Sequence, residues 1–285
     1  MVNIGFIGLG VMGFPIASHL SKTNQNVYVY NRTFSKAEEW EKKFKGTASD
    51  LESIAKKCDF IFSCVGNDQD LKDITVGEEG VFRNMKAGSF FIDHTTSSSK
   101  VAIEVNKAAL KCSINFIDAP VSGGQSGAEN GELTVMCGGT KINFSKVKPL
   151  IENYSKKCVL IGEVGSGQLA KMVNQICIAG LLQGLSEGLS FAEKSGLDTK
   201  KVLDVIKEGA AGSWQMSNRG ETMVEKSFDF GFAVDLMRKD LKICIDQAEK
   251  IGASLPITAI VDQFYNDIQL NNGGKFDTSS LITRL

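Results

Sequence analysis

Three short stretches carry residue types whose spacing suits chemistry. Lys171 is followed by Asn174 and Gln175 three and four positions on, so a helix would set all three side chains on one face. An ammonium beside amides can hold a carbonyl oxygen and hand it a proton. The same spacing also fits a solvent-facing lysine on an amphipathic helix. Ser122-Gly123-Gly124 closes the run Asp118-Ala119-Pro120-Val121 with a hydroxyl and two adjacent glycine N–H groups. That is either a cradle for a carboxylate or a plain turn. Gly8-Leu9-Gly10-Val11-Met12-Gly13 has the G-x-G-x-x-G spacing that seats a pyrophosphate. Gly8 would allow the tight turn, Gly10 the approach of backbone to phosphate, and Gly13 close packing of helix on strand.

The chain has two histidines, His19 and His94. His19 falls in a predicted helix as a surface or packing residue. His94 follows a predicted strand and could stand near a bound ring. No Ser-His-Asp set or metal cluster can be assembled, so a carbonyl reduced here would draw its proton from a group other than histidine, and lysine can supply one. Lys239-Asp240 reads by itself as an ion-paired helix face.

These stretches need elements to position them. Residues 2–7 form an apolar, β-branched run leading into the glycines, and residues 14–20 have helical spacing, so the motif sits in a strand–turn–helix context. Further strands are predicted at 26–30, 59–65, 89–93, 115–118, 133–137 and 159–161. Helices are predicted at 35–44, 49–57, 97–111 and 143–153. Alternating strands and helices imply an α/β domain with a mostly parallel, doubly wound sheet. In such sheets ligands sit at the carboxyl ends of strands, which directs attention to Gly8–Gly13, Asn31-Arg32-Thr33, Val65-Gly66-Asn67, His94–Ser97 and 119–124. After about residue 163 only helices are expected. The longest, 168–194, is apolar nearly all round, as a helix buried between domains or subunits would be. Shorter ones follow at 198–208, 235–251 and 256–270, with a last one capped near Asp277 or Thr278. Domains are therefore expected at 1–163 and 164–285.

The second strand ends where NAD-binding units usually carry an acid for the ribose hydroxyls. Here the sequence has Asn31, Arg32 and Thr33, with Lys36 one turn on. A guanidinium suits a 2′-phosphate, so NADPH is expected over NADH. The alternative is a solvated arginine and a helix cap at Thr33.

Composition narrows the partners. At 285 residues and net charge −1, no basic field points to nucleic acid or an anionic membrane. No run reaches membrane-span length. Met1 leads straight into a strand, so no signal or transit peptide is expected ahead of the fold. Seven scattered cysteines without C-x-x-C suggest reduced thiols in the cytoplasm.

Together these stretches resemble the β-hydroxyacid dehydrogenase family, which includes 3-hydroxyisobutyrate dehydrogenases, tartronate semialdehyde reductases and glyoxylate/succinic semialdehyde reductases. The likeness spans essentially the whole chain. It rests on Gly5–Gly13, Asp118–Gly124, Gly165-Ser166-Gly167-Gln168 leading to Lys171, and Lys239-Asp240-Leu241, in that order. The resemblance implies a Rossmann domain, an all-helical second domain and a catalytic cleft between them. It implies Lys171 as general acid/base, Ser122-Gly123-Gly124 for a substrate carboxylate, and Thr96 and Lys239 beside cofactor and substrate. Several relatives carry Asn four residues after the lysine. Here that position is Gln175, preceded by Asn174, so either amide could position the substrate. The 6-phosphogluconate dehydrogenases are longer and carry histidine where this chain has Asn174, which argues against their substrate. Imine reductases on this plan generally lack the lysine, and so do non-catalytic dehydrogenase-like modules. The expectation is an NADP-dependent oxidoreductase of a small 3-hydroxy acid or semialdehyde, assembled as a homodimer or homotetramer.

Overall fold

The computed structural model describes residues 2–23 and 25–285. The chain divides into two compact units, Met1–Lys171 and Met172–Leu285, and the division falls inside one helix.

The first unit alternates strands and helices: β1 (Asn3–Ile7), α1 (Gly13–Ser21), β2 (Asn26–Tyr30), α2 (Ser35–Lys43), β3 (Thr47–Ala48), α3 (Leu51–Lys57), β4 (Phe60–Ser63), α4 (Asp68–Thr75), β5 (Phe90–Asp93), α5 (Ser99–Lys111), β6 (Asn115–Asp118), β7 (Val121–Ser122), α6 (Gly124–Asn130), β8 (Leu133–Gly138), α7 (Lys141–Ile151) and β9 (Ser155–Gly162). The sheet runs β3-β2-β1-β4-β5-β6-β8-β7, with β9 paired to β8. From β3 to β6 every neighbour is parallel. β8 is antiparallel to β6 and β7. The strand order reverses between β1 and β4, which makes their carboxyl ends the switch point where a ligand is expected.

Strands covered on both faces read as continuous apolar runs. In β1, Ile4 and Phe6 enter a core with Ile16, Leu20, Trp40 and Phe62, whereas Ile7 enters the opposite core with Ile54, Ile61 and Phe91. Helix starts follow local chemistry. Asp50 accepts from Ser53 N–H at α3, Asn67 from Gln69 and Asp70 N–H at α4, and Ser98 from Val101 N–H at α5.

The second unit is helical. α8 (Ser166–Lys194) enters it, followed by α9 (Thr199–Ile206), α10 (Trp214–Val224), α11 (Val234–Ile251), α12 (Pro256–Leu270) and a 3₁₀ segment, Thr278–Arg284. Ala179 and Leu182 of α8 pack with Val234, Met237, Leu241, Val261 and Tyr265, and Leu185 and Leu189 with Leu203, Met216 and Met223. Buried Asp277 caps the last segment at Ser279 N–H (3.0 Å), also accepts from Phe232 N–H (2.9 Å), and pairs with Arg219 at 3.2 Å.

Three helices lie outside the sequence-based expectation. α4, α6 and α10 are short and mostly polar, and α6 and α10 contain glycine, so none presents a long apolar stripe. β9 is also longer than its apolar core suggests, because exposed Lys156 and Lys157 belong to it.

Candidate active site

The glycine turn behaves as its spacing demands. Gly8 has φ +98°, and a Cβ there would lie 2.3 Å from the Cys64 carbonyl oxygen. At Gly13 a Cβ would come within 1.9 Å of Gly8 O, so α1 and β1 could not pack as they do. Gly10 is different: a Cβ there meets nothing within 4 Å. Its absence leaves open space at the start of α1, where helix N–H groups and the dipole favour an anion. This is the fit expected for a dinucleotide pyrophosphate. Leu9 is buried and Val11 is half exposed. Leu9 N–H donates to Asn31 Oδ1 at 2.9 Å, and Asn31 Nδ2 donates to Thr33 O at 3.0 Å, so Asn31 ties the turn to the end of β2.

Arg32 and Thr33 are exposed beside it. A carboxylate does reach this end of β2, contrary to the local sequence: Arg32 Nη1 donates to Asp70 Oδ1 at 3.0 Å. Asp70 comes from α4, 38 residues away, and nothing near Arg32 in the sequence reports it. Val65, Gly66 and Asn67 form the loop between β4 and α4, and Val65 N–H donates to Thr95 Oγ1 at 3.0 Å.

The ends of β5 and β6 hold two buried carboxylates in register, Asp93 opposite Asp118. Asp93 Oδ1 accepts from Ser63 Oγ–H (2.8 Å) and Thr95 N–H (3.1 Å), while Oδ2 has no hydrogen-bond partner among the described residues. Burial pushes its pKa up to about 7, against the hydrogen bonds from Thr95 and Ser63 and with added repulsion from Asp118. Asp118 receives Gly165 N–H on Oδ1 (2.7 Å) and Gln168 N–H on Oδ2 (3.0 Å), which caps α8 from another part of the chain. Burial raises the Asp118 pKa too, opposed by those backbone bonds. Two glycines make room for this carboxylate, since a Cβ at Gly138 or Gly167 would lie 2.3 Å or 2.8 Å from Asp118 oxygens.

Gln168 extends the junction. Its Nε2 donates to Thr95 O (2.8 Å) and its Oε1 accepts from Ser97 N–H (3.1 Å), so one amide clamps the backbone on both sides of Thr96. One turn on, Lys171 is 7% exposed, and its Nζ donates to Val121 O at 2.8 Å. That excludes the solvent-facing reading and sets the ammonium against the residue preceding Ser122. Ser122, Gly123 and Gly124 are half-buried, with φ +136° at Gly123 and +64° at Gly124.

Beyond Lys171 the same helix carries Asn174 and Gln175. Gln175 is buried; its Oε1 accepts from Asn174 Nδ2 (2.7 Å) and its Nε2 donates to Asp240 Oδ2 (2.6 Å). Asn174 is half-buried. Lys239 Nζ lies 3.1 Å from Asp240 Oδ1, within ion-pair range although not aligned as a hydrogen bond. Asp240 is therefore the anchor shared by Gln175 and Lys239, a role its sequence neighbourhood does not announce.

The histidines are structural. His94 Nδ1 is 2.6 Å from Ala119 O and Nε2 is 2.9 Å from Tyr154 Oη, with both rings buried. A neutral ring donating from Nδ1 and accepting the phenol proton satisfies both contacts. Burial drives its pKa down to about 4, against the Ala119 hydrogen bond. His19 Nε2 meets the Ala128 and Glu129 carbonyls, each at 3.0 Å, at the end of α6. Among the described residues no three His, Cys, Asp or Glu side chains could hold a metal ion, and no helix is long and apolar enough to cross a membrane. None of the seven cysteines is disulfide-bonded.

A glycine turn at the switch point of a Rossmann-type sheet defines a dinucleotide-binding protein. Known proteins narrow the class. Residues 3–162 match the NAD binding domain of 6-phosphogluconate dehydrogenase, and residues 165–285 match the NAD-binding family of NADP-dependent 3-hydroxyisobutyrate dehydrogenase. An uncharacterized oxidoreductase of Shewanella frigidimarina is 54% identical over 100% of this chain and 98% of its own. A probable 3-hydroxyisobutyrate dehydrogenase-like protein of Arabidopsis thaliana, described as mitochondrial, is 38% identical over 99% of this chain and 85% of its own. The crystal structure of a 3-hydroxyisobutyrate dehydrogenase from Salmonella typhimurium superposes with TM-score 0.90 at 26% identity, covering 100% of both chains. The chain belongs to the β-hydroxyacid dehydrogenase family of NAD(P)-dependent oxidoreductases.

Proposed function

We propose that the chain interconverts a small 3-hydroxy acid and its semialdehyde using NADP(H), with Lys171 as general acid and base. The observation that carries this reading is the buried Lys171 ammonium, 2.8 Å from the carbonyl oxygen of Val121 and so one residue from the Ser122-Gly123-Gly124 cradle. Bound at the Gly8–Gly13 turn, the nicotinamide cofactor would supply or take up the hydride. The chain's residues do the rest. Ser122 and the two glycine N–H groups hold the substrate carboxylate, and Thr96, clamped by Gln168, borders cofactor and substrate. Lys171 stabilises negative charge growing on the carbonyl oxygen and delivers the proton, then recovers it in the reverse direction. Half-buried Asn174 orients the same oxygen, while Gln175, held by Asp240, supports Asn174 from behind. Lys239, paired with Asp240, borders substrate and cofactor. Val65, Gly66, Asn67, Arg32 and Thr33 line the cofactor's adenosine end.

Lys171→Ala tests the mechanism. We expect kcat on semialdehydes to fall ~10²–10⁴-fold while folding and NADPH binding persist. Lys171→Arg should not rescue it, because guanidinium keeps its proton too tightly. Oxidation of the hydroxy acid should quicken as pH rises, since it needs the neutral amine. Near-normal turnover by Lys171→Ala would refute the assignment. A panel of glyoxylate and the succinic, tartronate and methylmalonate semialdehydes would identify the substrate. Carboxylate anchoring is better tested by Ser122→Ala than at Gly123, where positive φ strains any side chain.

We assign cofactor binding and the carboxylate cradle to residues 1–163, and the remaining substrate contacts and assembly to 164–285, and from the reduced thiols we infer a cytoplasmic setting. Val173, Leu181 and Phe191 of α8 are 61%, 46% and 72% exposed, apolar surface that supports a homodimer or homotetramer. Light scattering that finds only monomer at micromolar concentration would count against assembly.

A further inference from the structure

The end of β2 holds an unexpected arrangement of charge. Arg32, at the end of β2, has a side chain 86% exposed, yet its Nη1 is 3.0 Å from Asp70 Oδ1. Asp70 is the better fixed of the two, with its side chain 22% exposed. It sits in the first turn of α4, and its Oδ2 accepts from Asn67 Nδ2 at 3.3 Å. The carboxylate lies over Gly66, where a Cβ would come within 2.5 Å of Oδ2. So the chain lacks an acid at the end of β2 itself but delivers one there from the first turn of α4.

We propose that Asp70 sets the balance between NADPH and NADH by competing with the 2′-phosphate for Arg32. The inference rests on the reading of Arg32 as the phosphate-binding residue. A phosphate carrying close to two negative charges would share the guanidinium with a carboxylate already in contact, and like charges at such range repel. The ion pair is exposed, so it is weak and easily rearranged. Asp70 therefore lowers NADPH affinity without abolishing it. NADH, which lacks the 2′-phosphate, is indifferent to that repulsion. The outcome is a site that discriminates between the two cofactors less than Arg32 alone would make it.

Equilibrium titrations of NADPH and NADH, followed by nicotinamide fluorescence, test this in the protein and four variants. Asp70→Asn should tighten NADPH about three- to tenfold and leave NADH within about twofold, and raising ionic strength should shrink the gain. Asp73→Asn, one turn along α4 and exposed, removes the same charge away from Arg32 and should change neither cofactor. Arg32→Ala should weaken NADPH selectively, and Asp70→Asn added to Arg32→Ala should recover less than it gains alone. If Asp70→Asn leaves NADPH unchanged while Arg32→Ala weakens it, the competition is refuted and the role of Arg32 stands. If Arg32→Ala affects both cofactors equally or neither, the phosphate-binding role of Arg32 falls, and this inference with it.

Discussion

The first unit builds its two candidate ligand regions from different materials. The turn after β1 is made of backbone: three glycines, one at positive φ and one pressed against a carbonyl, give a shape that few other residues could reproduce. The junction after β5 and β6 is made of side chains. Asp118 caps α8, Gln168 clamps Thr95 and Ser97, and Asp93 binds Ser63 and Thr95. A backbone site needs no buried charge, because the α1 terminus supplies its partial charge. A side-chain junction places Lys171 and Thr96 with respect to each other, at the cost of holding two carboxylates away from water. Binding a generic pyrophosphate suits the first device, and holding a buried lysine in a fixed place suits the second.

Glycine substitution gives the sharpest contrast. Gly13→Ala puts a Cβ 1.9 Å from a backbone oxygen that cannot rotate away, so it should cost roughly 3 kcal/mol or more and show as a large drop in the denaturation midpoint. Gly10→Ala has room in the fold and should change stability by less than about 1 kcal/mol, yet weaken either cofactor tenfold or more by filling the phosphate's approach. If Gly10→Ala bound NADPH normally, the pyrophosphate would have to lie elsewhere.

At the junction the corresponding change is Asp118→Asn. One carboxylate accepts N–H groups on both oxygens, whereas an amide can accept on only one and must point its NH₂ at the other donor. The expected loss is about 1–3 kcal/mol of stability. Catalysis should fall with it because the start of α8 loosens, while affinity for either cofactor at the β1 turn changes little. Equal losses in turnover and cofactor affinity would mean that turn and junction are one cooperative region.

The contrast between the regions also explains what the sequence discloses. The glycine turn is legible because its three determinants lie within six residues and their flanks have strand and helix periodicity. Lys171 is legible as a reactive type on a helix, but its burial is not, since Val121 lies 50 residues upstream. The carboxylates at the junction act over comparable or longer separations: Asp118 reaches the start of α8 across 47 residues, and Gln175 reaches Asp240 across 65. Arg32 is legible as a guanidinium at the end of β2, whereas its ion-pair partner Asp70, 38 residues on, is not. Periodicity reports which face of an element is apolar. It does not report which polar residues from different elements converge, and that convergence makes the junction.

The smallest effect expected is a pair of opposed pH dependences at neighbouring residues. Asp93 has a folded pKa of about 7, raised by burial from 3.8. Its contribution is fully present below pH 3.8 and is lost as pH rises towards 7, because the folded state binds the extra proton through that window. His94 has a folded pKa of about 4, lowered by burial from 6.5, so its contribution is present above 6.5 and is lost as pH falls through 4. Over the shared window each linkage amounts to about one proton, with opposite sign, and the two largely cancel. Asp93→Asn keeps an acceptor for Ser63 and Thr95 but removes the titration. Chemical denaturation across this range should then uncover the His94 slope, with stability rising by about one proton's worth of linkage as pH increases. Should the variant and the parent show the same slope, Asp93 would be ionised in the fold throughout, and its buried, unpartnered Oδ2 would carry a charge that the junction must stabilise by other means.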